Sequence, residues 1–209
     1  MKPSLSRVLT GIAAVGVTVG ALYFTWRSQW AADPVHEGMQ RSVGARLADE
    51  VAAVVGPTGR VVVVTLDSGA SAVVDRQHEA FLERLKQWPG LKVIRTDEVD
   101  ASKGDKYGPG TGLSARRWQR LVEKEPDANV IVSLIGAPDP EELPKKVADA
   151  KGPRLVAVSR SPKQLAPLVD GGLLARAIVP RFTFPAPGPE SPRTPAEWFE
   201  NRFQVVGGR

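Results

Sequence analysis

Two loops of small and polar residues carry the side chains in this sequence that could bind a ligand. The first reads DSGAS at positions 67–71 and follows a run of β-branched residues, whereas the second reads GDKYGPGTG at positions 104–112 and precedes a helical pattern. Backbone N–H groups in such a loop can face an anion at the start of a helix. The candidate ligand-binding residues of the two loops are Asp67, Ser68, Lys106, Tyr107 and Thr111.

Neither loop contains a motif that identifies a cofactor. Asp67 places a negative charge where a phosphate would bind, and residues 104–112 lack the Gly-Lys-Ser/Thr sequence of a phosphate-binding P-loop. An ordinary strand-to-helix turn and a long ordered loop are therefore the alternatives to a flavin, nucleotide or phosphate site. No cofactor is predicted.

The sequence contains no recognisable set of catalytic or metal-binding residues. It has no cysteine, and its two histidines are His36 and His78. His78 lies on the apolar stripe of a helical pattern, so we expect a partly buried histidine with satisfied hydrogen bonds rather than a catalytic base. Asp97, Glu98 and Asp100 could hold a hard cation, but charged surface residues before a loop are the simpler interpretation. No catalytic residue and no metal site is predicted, and the balance is against an enzyme.

The elements that must position these loops alternate between strand and helix patterns. The predicted strands are 60–66, 91–94, 129–135, 154–158 and 173–179, and the predicted helices are 73–88, 114–124, one that begins at Asp139, and 162–169. This alternation predicts an α/β three-layer sandwich with a mostly parallel five-stranded sheet, in the strand order 2-1-3-4-5 of flavodoxin-like folds. Ligands of such sheets bind beyond the carboxyl ends of the strands.

The uncharged stretch 8–26 predicts a transmembrane helix, or signal anchor. Lys2 and Arg7 precede it, which favours a cytoplasmic N-terminus at residues 1–7 and an extracytoplasmic remainder. A cleaved secretory signal peptide is the alternative. Gly16 and Gly20 have the spacing that lets two membrane helices pack closely, so the span could support a homodimer.

The segments on either side of the predicted α/β domain, which we assign to 57–182, have patterns of their own. Residues 27–56 predict a juxtamembrane helix that packs on the domain, with a free-standing stalk as the alternative. Residues 183–209 predict a Pro-rich linker and a short helix with Thr194 as its cap. The aromatic residues of this tail, which either fold back onto the domain or bind a protein partner, are Trp198, Phe199 and Phe203.

The charge of the sequence gives little support for a polyanionic partner. The net charge is +5, and the sharpest basic cluster lies on one predicted helix. This cluster consists of Arg116, Arg117, Arg120 and Lys124. A solvated helix face is one interpretation, and attraction to anionic lipid is the other. Nucleic acid is not predicted as a partner, because the domain is predicted to be exported and no basic motif is interleaved with aromatic residues.

Four stretches of the predicted domain resemble the type I periplasmic binding protein and sugar-repressor ligand-binding superfamily. They are VVVVTLD at 61–67, SARRWQRLVEKEPDANVIVSLIGAP at 114–138, PRLVAVSR at 153–160 and GGLLARAIVP at 171–180. The resemblance covers about residues 60–181 and implies an exported α/β lobe with ligand contacts at Asp67, Ser68, Gly136 and Ser159. Members of that superfamily bind ligands between two lobes, whereas this chain has length for one. The resemblance therefore implies that a dimer would have to supply the other wall.

These observations predict a membrane-anchored extracytoplasmic α/β domain that binds or scaffolds a protein partner in an envelope assembly. The alternative is a small-molecule binding protein or enzyme that uses the loops 67–71 and 104–112 for a flavin, nucleotide or sugar. A flavin or nucleotide that co-purified with the chain would favour the alternative.

Overall fold

The computed structural model describes residues 34–100, 112–143, 152–159, 165–181 and 194–207. The residues from Glu37 onward form one compact unit. Within the described ranges, no helix is both long and apolar enough to cross a bilayer. The predicted transmembrane helix at residues 8–26 lies outside these ranges, as does the Pro-rich segment.

The described part of the chain contains five helices and six strands. In chain order they are α1 (Pro34–Val55), β1 (Thr58–Leu66), α2 (Ala72–Leu85), β2 (Gly90–Val99), α3 (Ala115–Lys124), β3 (Val130–Ser133), β4 (Arg154–Val158), α4 (Ala166–Asp170), β5 (Leu174–Pro180), α5 (Pro195–Arg202) and β6 (Phe203–Val206). Side-chain caps begin several of the helices. In α3, for example, Ser114 Oγ accepts a hydrogen bond of 3.2 Å from the N–H of Arg117.

The six strands form one sheet in the order β2-β1-β3-β4-β5-β6. The first five strands are parallel to their neighbours, whereas β6 pairs antiparallel with β5. The predicted order of the five parallel strands is therefore confirmed. The sixth strand was not predicted, because four residues directly after a helix give too short a pattern to indicate a strand.

Helices cover both faces of the sheet, which makes the domain a three-layer sandwich as predicted. In β1, the side chains of Val62 and Val64 pack with α3 and α4, whereas those of Val61 and Val63 pack with α1 and α2. All four valines are fully buried. This burial on two sides explains why β1 is a continuous β-branched run rather than an alternating one. We refer to the two sides as the α3/α4 face and the α1/α2 face.

Helix α1 is part of this core rather than a stalk. Its residues Leu47 and Val51 have no exposed surface and belong to the α1/α2 face. A Cβ atom at Gly44 would lie 2.0 Å from the backbone oxygen of Gln77, so the backbones of α1 and α2 are in close contact there. The prediction that this helix packs on the domain is confirmed, and its position next to a membrane stays a prediction.

Strand β2 is longer than the sequence predicts. Residues 91–94 are predicted as the strand, but β2 continues to Val99 because it pairs with β1 over its whole length. Its charged residues are tolerated because β2 is at the edge of the sheet. One of them, Asp97, forms an ion pair of 2.7 Å with Arg117 on α3.

The segment after β3 also differs from the prediction. A helix is predicted to begin at Asp139, but the described residues 139–143 form a turn instead. In this turn the Asp139 carboxylate accepts a hydrogen bond of 2.9 Å from the N–H of Glu141. An Asp followed by a Pro can initiate either structure, because the same side-chain bond caps a helix and closes a turn.

The C-terminal segment folds back onto the domain. Phe199 is 4% exposed and lies in the core of the α1/α2 face, where the guanidinium of Arg46 is 5.6 Å from its ring centre. Phe199 is therefore not accessible to a partner in this structure. Trp198 and Phe203 are half-buried, and partner binding by these two residues stays a prediction.

Candidate ligand-binding edge

The carboxyl ends of the parallel strands lie side by side, and the residues that follow them form what we call the carboxyl edge. Backbone hydrogen bonds join these ends directly. The N–H of Asp67 donates to Val99 O at 3.0 Å, and the N–H of Leu134 donates to Val64 O at 3.0 Å. The described residues of the carboxyl edge are Asp67–Ser71, Asp100, Gly112, Leu134–Leu143 and Ser159.

Asp67 and Ser68 are the most accessible of the predicted ligand-binding residues that the structure describes. The backbone N–H and C=O of Asp67 are both bound, since Ala70 donates its N–H to the Asp67 oxygen at 3.0 Å. The Asp67 carboxylate makes no hydrogen bond or ion pair within the described part of the chain, and its residue is half-buried. Ser68 is exposed beside it. A carboxylate and a hydroxyl at this position can accept and donate hydrogen bonds to a polar ligand.

An anion at the start of α2 is disfavoured, because the protein supplies its own. The N–H of Gly69 donates to the Asp75 carboxylate at 3.1 Å. Ser71 Oγ caps the helix by accepting the N–H of Val74 at 3.5 Å. A phosphate in this loop would have to displace one carboxylate and lie close to another, that of Asp67. The geometry therefore gives no support to a flavin or nucleotide phosphate at residues 67–71.

Two glycines hold the loop after β3 against the start of α3. Gly112 and Gly136 both have positive φ angles, 85° and 119°. A Cβ atom at Gly136 would lie 2.7 Å from Gly112 Cα, so neither position has room for a side chain. The Gly136 carbonyl accepts a hydrogen bond of 2.6 Å from the hydroxyl of Ser133. Gly136 is buried, and in this structure it positions the loop. Ligand contact by Gly136 stays a prediction.

Of the remaining predicted ligand-binding residues, the structure describes Ser159 but not the other three. Ser159 is 8% exposed, and its N–H donates to Ile178 O at 2.8 Å. The structure thus brings Asp67, Ser68 and Ser159 to the same edge of the sheet. The three residues that lie outside the described ranges are Lys106, Tyr107 and Thr111.

Three residues that shape the edge were not named as ligand-binding residues, although Gly112 ends the predicted loop 104–112. Asp75, Gly112 and Ser133 each act through a partner in another turn or loop. Only Asp75 has a signal in the sequence, since an acidic residue in the first turn of a helix commonly interacts with free N–H groups. The contact of Gly112 depends on where another loop lies.

His78 is half-buried on α2, as predicted, but its Nε2 does not have the hydrogen bond that was expected from the residues the structure describes. Within the described residues, neither His78 Nε2 nor the buried hydroxyl of Thr65 has a hydrogen-bond partner. Burial lowers the pKa of His78, and the nearby carboxylates of Glu98, Asp75 and Glu79 oppose this effect. Among the described residues, therefore, His78 Nε2 has no hydroxyl bound to it that it could activate as a nucleophile.

The acidic residues at the end of β2 do not form a cation site in the described structure. Asp97 is bound by Arg117, and Arg95 lies 3.7 Å from the same carboxylate. Among all described residues, no group of three or more His, Asp or Glu residues could hold a metal ion. The contacts with Arg117 and Arg95 account for the position of Asp97, and they agree with its interpretation as a charged residue near the surface.

Comparisons with known proteins give the fold of this domain. No family model matches the chain, and no curated protein matches it. Solved structures do match, among them a solute-binding protein from Burkholderia graminis in complex with D-arabinose, with 17% identity and a TM-score of 0.52. A glucose-galactose binding protein from Geobacillus stearothermophilus has 15% identity and a TM-score of 0.51. A solute-binding protein from Agrobacterium vitis bound with α-D-tagatopyranose has 19% identity and a TM-score of 0.50.

The matches cover about two thirds of this chain but less than half of each solved protein. The shares of this chain are 67%, 67% and 68%, and the shares of the three matched chains are 47%, 47% and 45%. At these identities the likeness concerns the fold alone. The predicted resemblance to one lobe of a periplasmic binding protein is confirmed at that level.

Proposed function

We propose that this protein is a membrane-anchored, extracytoplasmic binding domain that presents the carboxyl edge of its sheet to a protein partner in an envelope assembly. The observation that carries the proposal is the carboxylate of Asp67, which has no partner among the described residues and lies beside the exposed Ser68 at the carboxyl end of β1, in a sheet of the binding-protein type. The uncharged stretch 8–26 supports the anchor. No catalysis is part of this proposal.

A protein partner suits an edge that is open on one side. A ligand held between two walls loses most of its contact with water, whereas the residues described here supply one wall only. Hydrogen bonds made by an exposed carboxylate and hydroxyl contribute to affinity mainly when neighbouring contacts exclude water from them. A protein surface can supply those contacts over a larger area than a small molecule can.

The anchor and the binding edge are tested separately. For the anchor, we expect the full-length chain to stay in the membrane pellet after extraction with alkaline carbonate. For the edge, we expect Asp67→Asn to weaken recovery of the co-purified partner by about tenfold, since a charge-assisted hydrogen bond contributes about 1.5 kcal/mol or more.

The matched control is Asp127→Asn at the opposite end of the sheet, where the Asp127 side chain is 76% exposed and lies 3.8 Å from Arg60. We expect this variant to recover the partner as well as the unmodified chain does. Equal loss from both variants would mean that the effect is one of overall charge, and unchanged recovery with Asp67→Asn would contradict the role of the edge.

A small sugar is the second candidate ligand. It is favoured by the matched structures, which hold D-arabinose and α-D-tagatopyranose in proteins of the same fold. Titration calorimetry of the full-length chain in detergent with D-arabinose, D-tagatose and D-galactose tests it. Saturable heat that disappears in Asp67→Asn would support a sugar site, whereas no heat at millimolar sugar would contradict it.

A further inference from the structure

One side of α3 carries positive charge that the described part of the protein does not neutralise. The buried side chains of Trp118 and Leu121 hold this helix against the sheet. Arg116, Arg120 and Lys124 are all exposed. Because these three residues are spaced four apart, they lie in one row on the outer side of the helix. We call this row the basic stripe.

The remaining basic residue of α3, Arg117, is neutralised. Its guanidinium lies 2.7 Å from the Asp97 carboxylate on β2. Arg95, also on β2, lies 3.7 Å from Asp97 and 3.5 Å from Glu125. Two cations and two carboxylates therefore balance each other on the side of α3 that faces β2. The basic stripe, by contrast, makes no ion pair or side-chain hydrogen bond within the described ranges.

The basic stripe is unfavourable for the helix that carries it. Arg116 is in the first turn, where the helix macrodipole is positive, and that turn contains no acidic residue. Neighbouring members of the stripe are like charges four residues apart, a spacing at which they repel each other. Glu123 is the acidic residue of α3, and it forms no ion pair with the stripe in the described structure. Departures from such local rules are expected where residues serve binding rather than stability.

We propose that the basic stripe binds an acidic helix of a protein partner, in which carboxylates are four residues apart. Neighbouring members of the stripe are separated by about 6 Å along the axis of α3, and carboxylates with the same spacing on a second helix repeat at the same distance. The planar guanidinium groups of Arg116 and Arg120 can each bind a carboxylate through two parallel hydrogen bonds. The stripe shares no residue with the carboxyl edge, so this inference goes beyond the proposed function.

The outer side of α3 suits an acidic protein better than a bilayer or a nucleic acid. Helices that lie on bilayers insert apolar side chains, whereas the apolar side chains of α3 pack against the core. Proteins that bind single-stranded nucleic acid stack bases on exposed aromatic rings. The aromatic residue of α3 is Trp118, which is 1% exposed. Charge is therefore what this surface offers to a partner.

The test uses a synthetic alanine-rich peptide with glutamate at every fourth position, labelled with a fluorophore. Fluorescence anisotropy measures its dissociation constant for the full-length chain in a nonionic detergent. We expect the double variant Arg116→Gln/Arg120→Gln to weaken binding about tenfold, since each exposed ion pair contributes about threefold. Binding should also weaken as salt is added, because salt screens exposed charges. No binding at about 1 mM peptide in low salt would overturn the inference.

The matched control for net charge is Arg154→Gln. Arg154 is exposed at the start of β4, and its side chain has no partner among the described residues. We expect Arg154→Gln to bind the peptide as tightly as the unmodified chain does, whereas Arg120→Gln should lose about threefold. Equal losses from these two variants would show an effect of net charge alone and would overturn the inference.

A thermal unfolding measurement separates binding from folding. The Tm of the double variant should equal or exceed that of the unmodified chain, because the repulsion along the stripe is relieved. A lower Tm would give the stripe a role in stability and would overturn the inference. Asp67→Asn should bind the peptide normally, so failure of the stripe and failure of the carboxyl edge are distinguishable.

Two further measurements test the kind of partner. A peptide with the same number of glutamates distributed around the helix should bind more weakly than the peptide with one row, and equal affinity would contradict recognition of a helix face. Phosphatidylglycerol added to the detergent micelles should leave peptide binding unchanged. Displacement of the peptide by this anionic lipid would assign the stripe to a lipid surface and overturn the inference.

Discussion

The two faces of the sheet are buried to a similar degree but are built from different parts of the chain. The α3/α4 face is covered by helices that connect successive strands. The α1/α2 face also uses α1, which precedes the first strand, and Phe199 of α5, which follows the last parallel strand. The comparison teaches that the segments outside the strand-helix alternation complete the core and are not appendages to it.

The faces also differ in their polar contacts. On the α1/α2 side, Glu50 is 7% exposed, and its carboxylate lies 2.9 Å from Arg46 and 3.4 Å from Arg176. The contact with Arg46 lies within α1, and the contact with Arg176 joins α1 to β5. On the α3/α4 side, Trp118 is 1% exposed, and its Nε1 has no hydrogen-bond partner within the described residues. Each face therefore has an ion pair between a helix and the sheet, Glu50 with Arg176 and Arg117 with Asp97. The two pairs differ in burial, since the carboxylate side chain is 9% exposed at Glu50 and 17% exposed at Asp97.

The largest expected effect comes from removing a core side chain from each face, which tests whether α1 belongs to the core as fully as α3 does. Leu47 on α1 is 0% exposed and Leu121 on α3 is 2% exposed. We expect Leu47→Ala and Leu121→Ala each to lower the free energy of unfolding by about 3 kcal/mol, because both leave a cavity. Urea unfolding measures both values. A loss below about 1 kcal/mol for Leu47→Ala alone would show that α1 is peripheral.

A smaller effect tests the contact between α1 and α2. In Gly44→Ala the new Cβ would meet the backbone of Gln77, and we expect a loss of about 2 kcal/mol in the free energy of unfolding. Gly38→Ala in the same helix is the control, because its Cβ would lie 3.6 Å from Trp198, an ordinary contact. That variant should be neutral or gain up to about 1 kcal/mol from helix propensity. Equal effects would mean that the close approach at Gly44 does not determine how α1 packs.

The smallest expected effect concerns pH and the α1/α2 face. Burial lowers the pKa of His78 in the folded state below its ordinary value of 6.5. Well above pH 6.5 the imidazole is neutral in both states, and its contribution to stability is complete. As the pH falls below 6.5, the unfolded state binds the proton first, so the folded state loses stability until the pH reaches the lowered pKa.

The measurement is urea unfolding at pH 7.5 and at pH 5.5, for the unmodified chain and for His78→Gln. We expect the unmodified chain to lose more stability between the two pH values than the variant does. Losses of the same size would show that His78 titrates alike in the folded and unfolded states.

Much of the fold could be predicted because its signals are local. The run at 61–64 specifies a strand that is buried on both sides, and Ser114 specifies the start of α3. The full length of β2 could not be predicted, since it depends on pairing with β1 rather than on the polar residues Thr96 to Glu98. The addition of β6 likewise depends on α5 folding back onto the sheet.

The candidate site divides in the same way. The position of Asp67 follows from the rule that ligands bind at the carboxyl ends of parallel strands, so the sequence could indicate it. The bond from Gly69 to Asp75 and the contact between Gly112 and Gly136 could not be predicted, because each depends on the geometry of a turn or on a second loop. The bond from Gly69 to Asp75 argues against a bound phosphate, and the contact between the two glycines shows that the loop after β3 is held in place.

The two outer strands limit what can be added to the sheet. At one side of the sheet, in β6, the Phe203 carbonyl accepts a hydrogen bond of 2.8 Å from the Arg181 guanidinium. The Phe203 N–H already donates to Phe199 O. At the other side, β2 carries charged residues, among them Lys92 and Glu98, which oppose pairing with a foreign strand. Copies crowded together should therefore resist edge-to-edge aggregation at Phe203 and along β2.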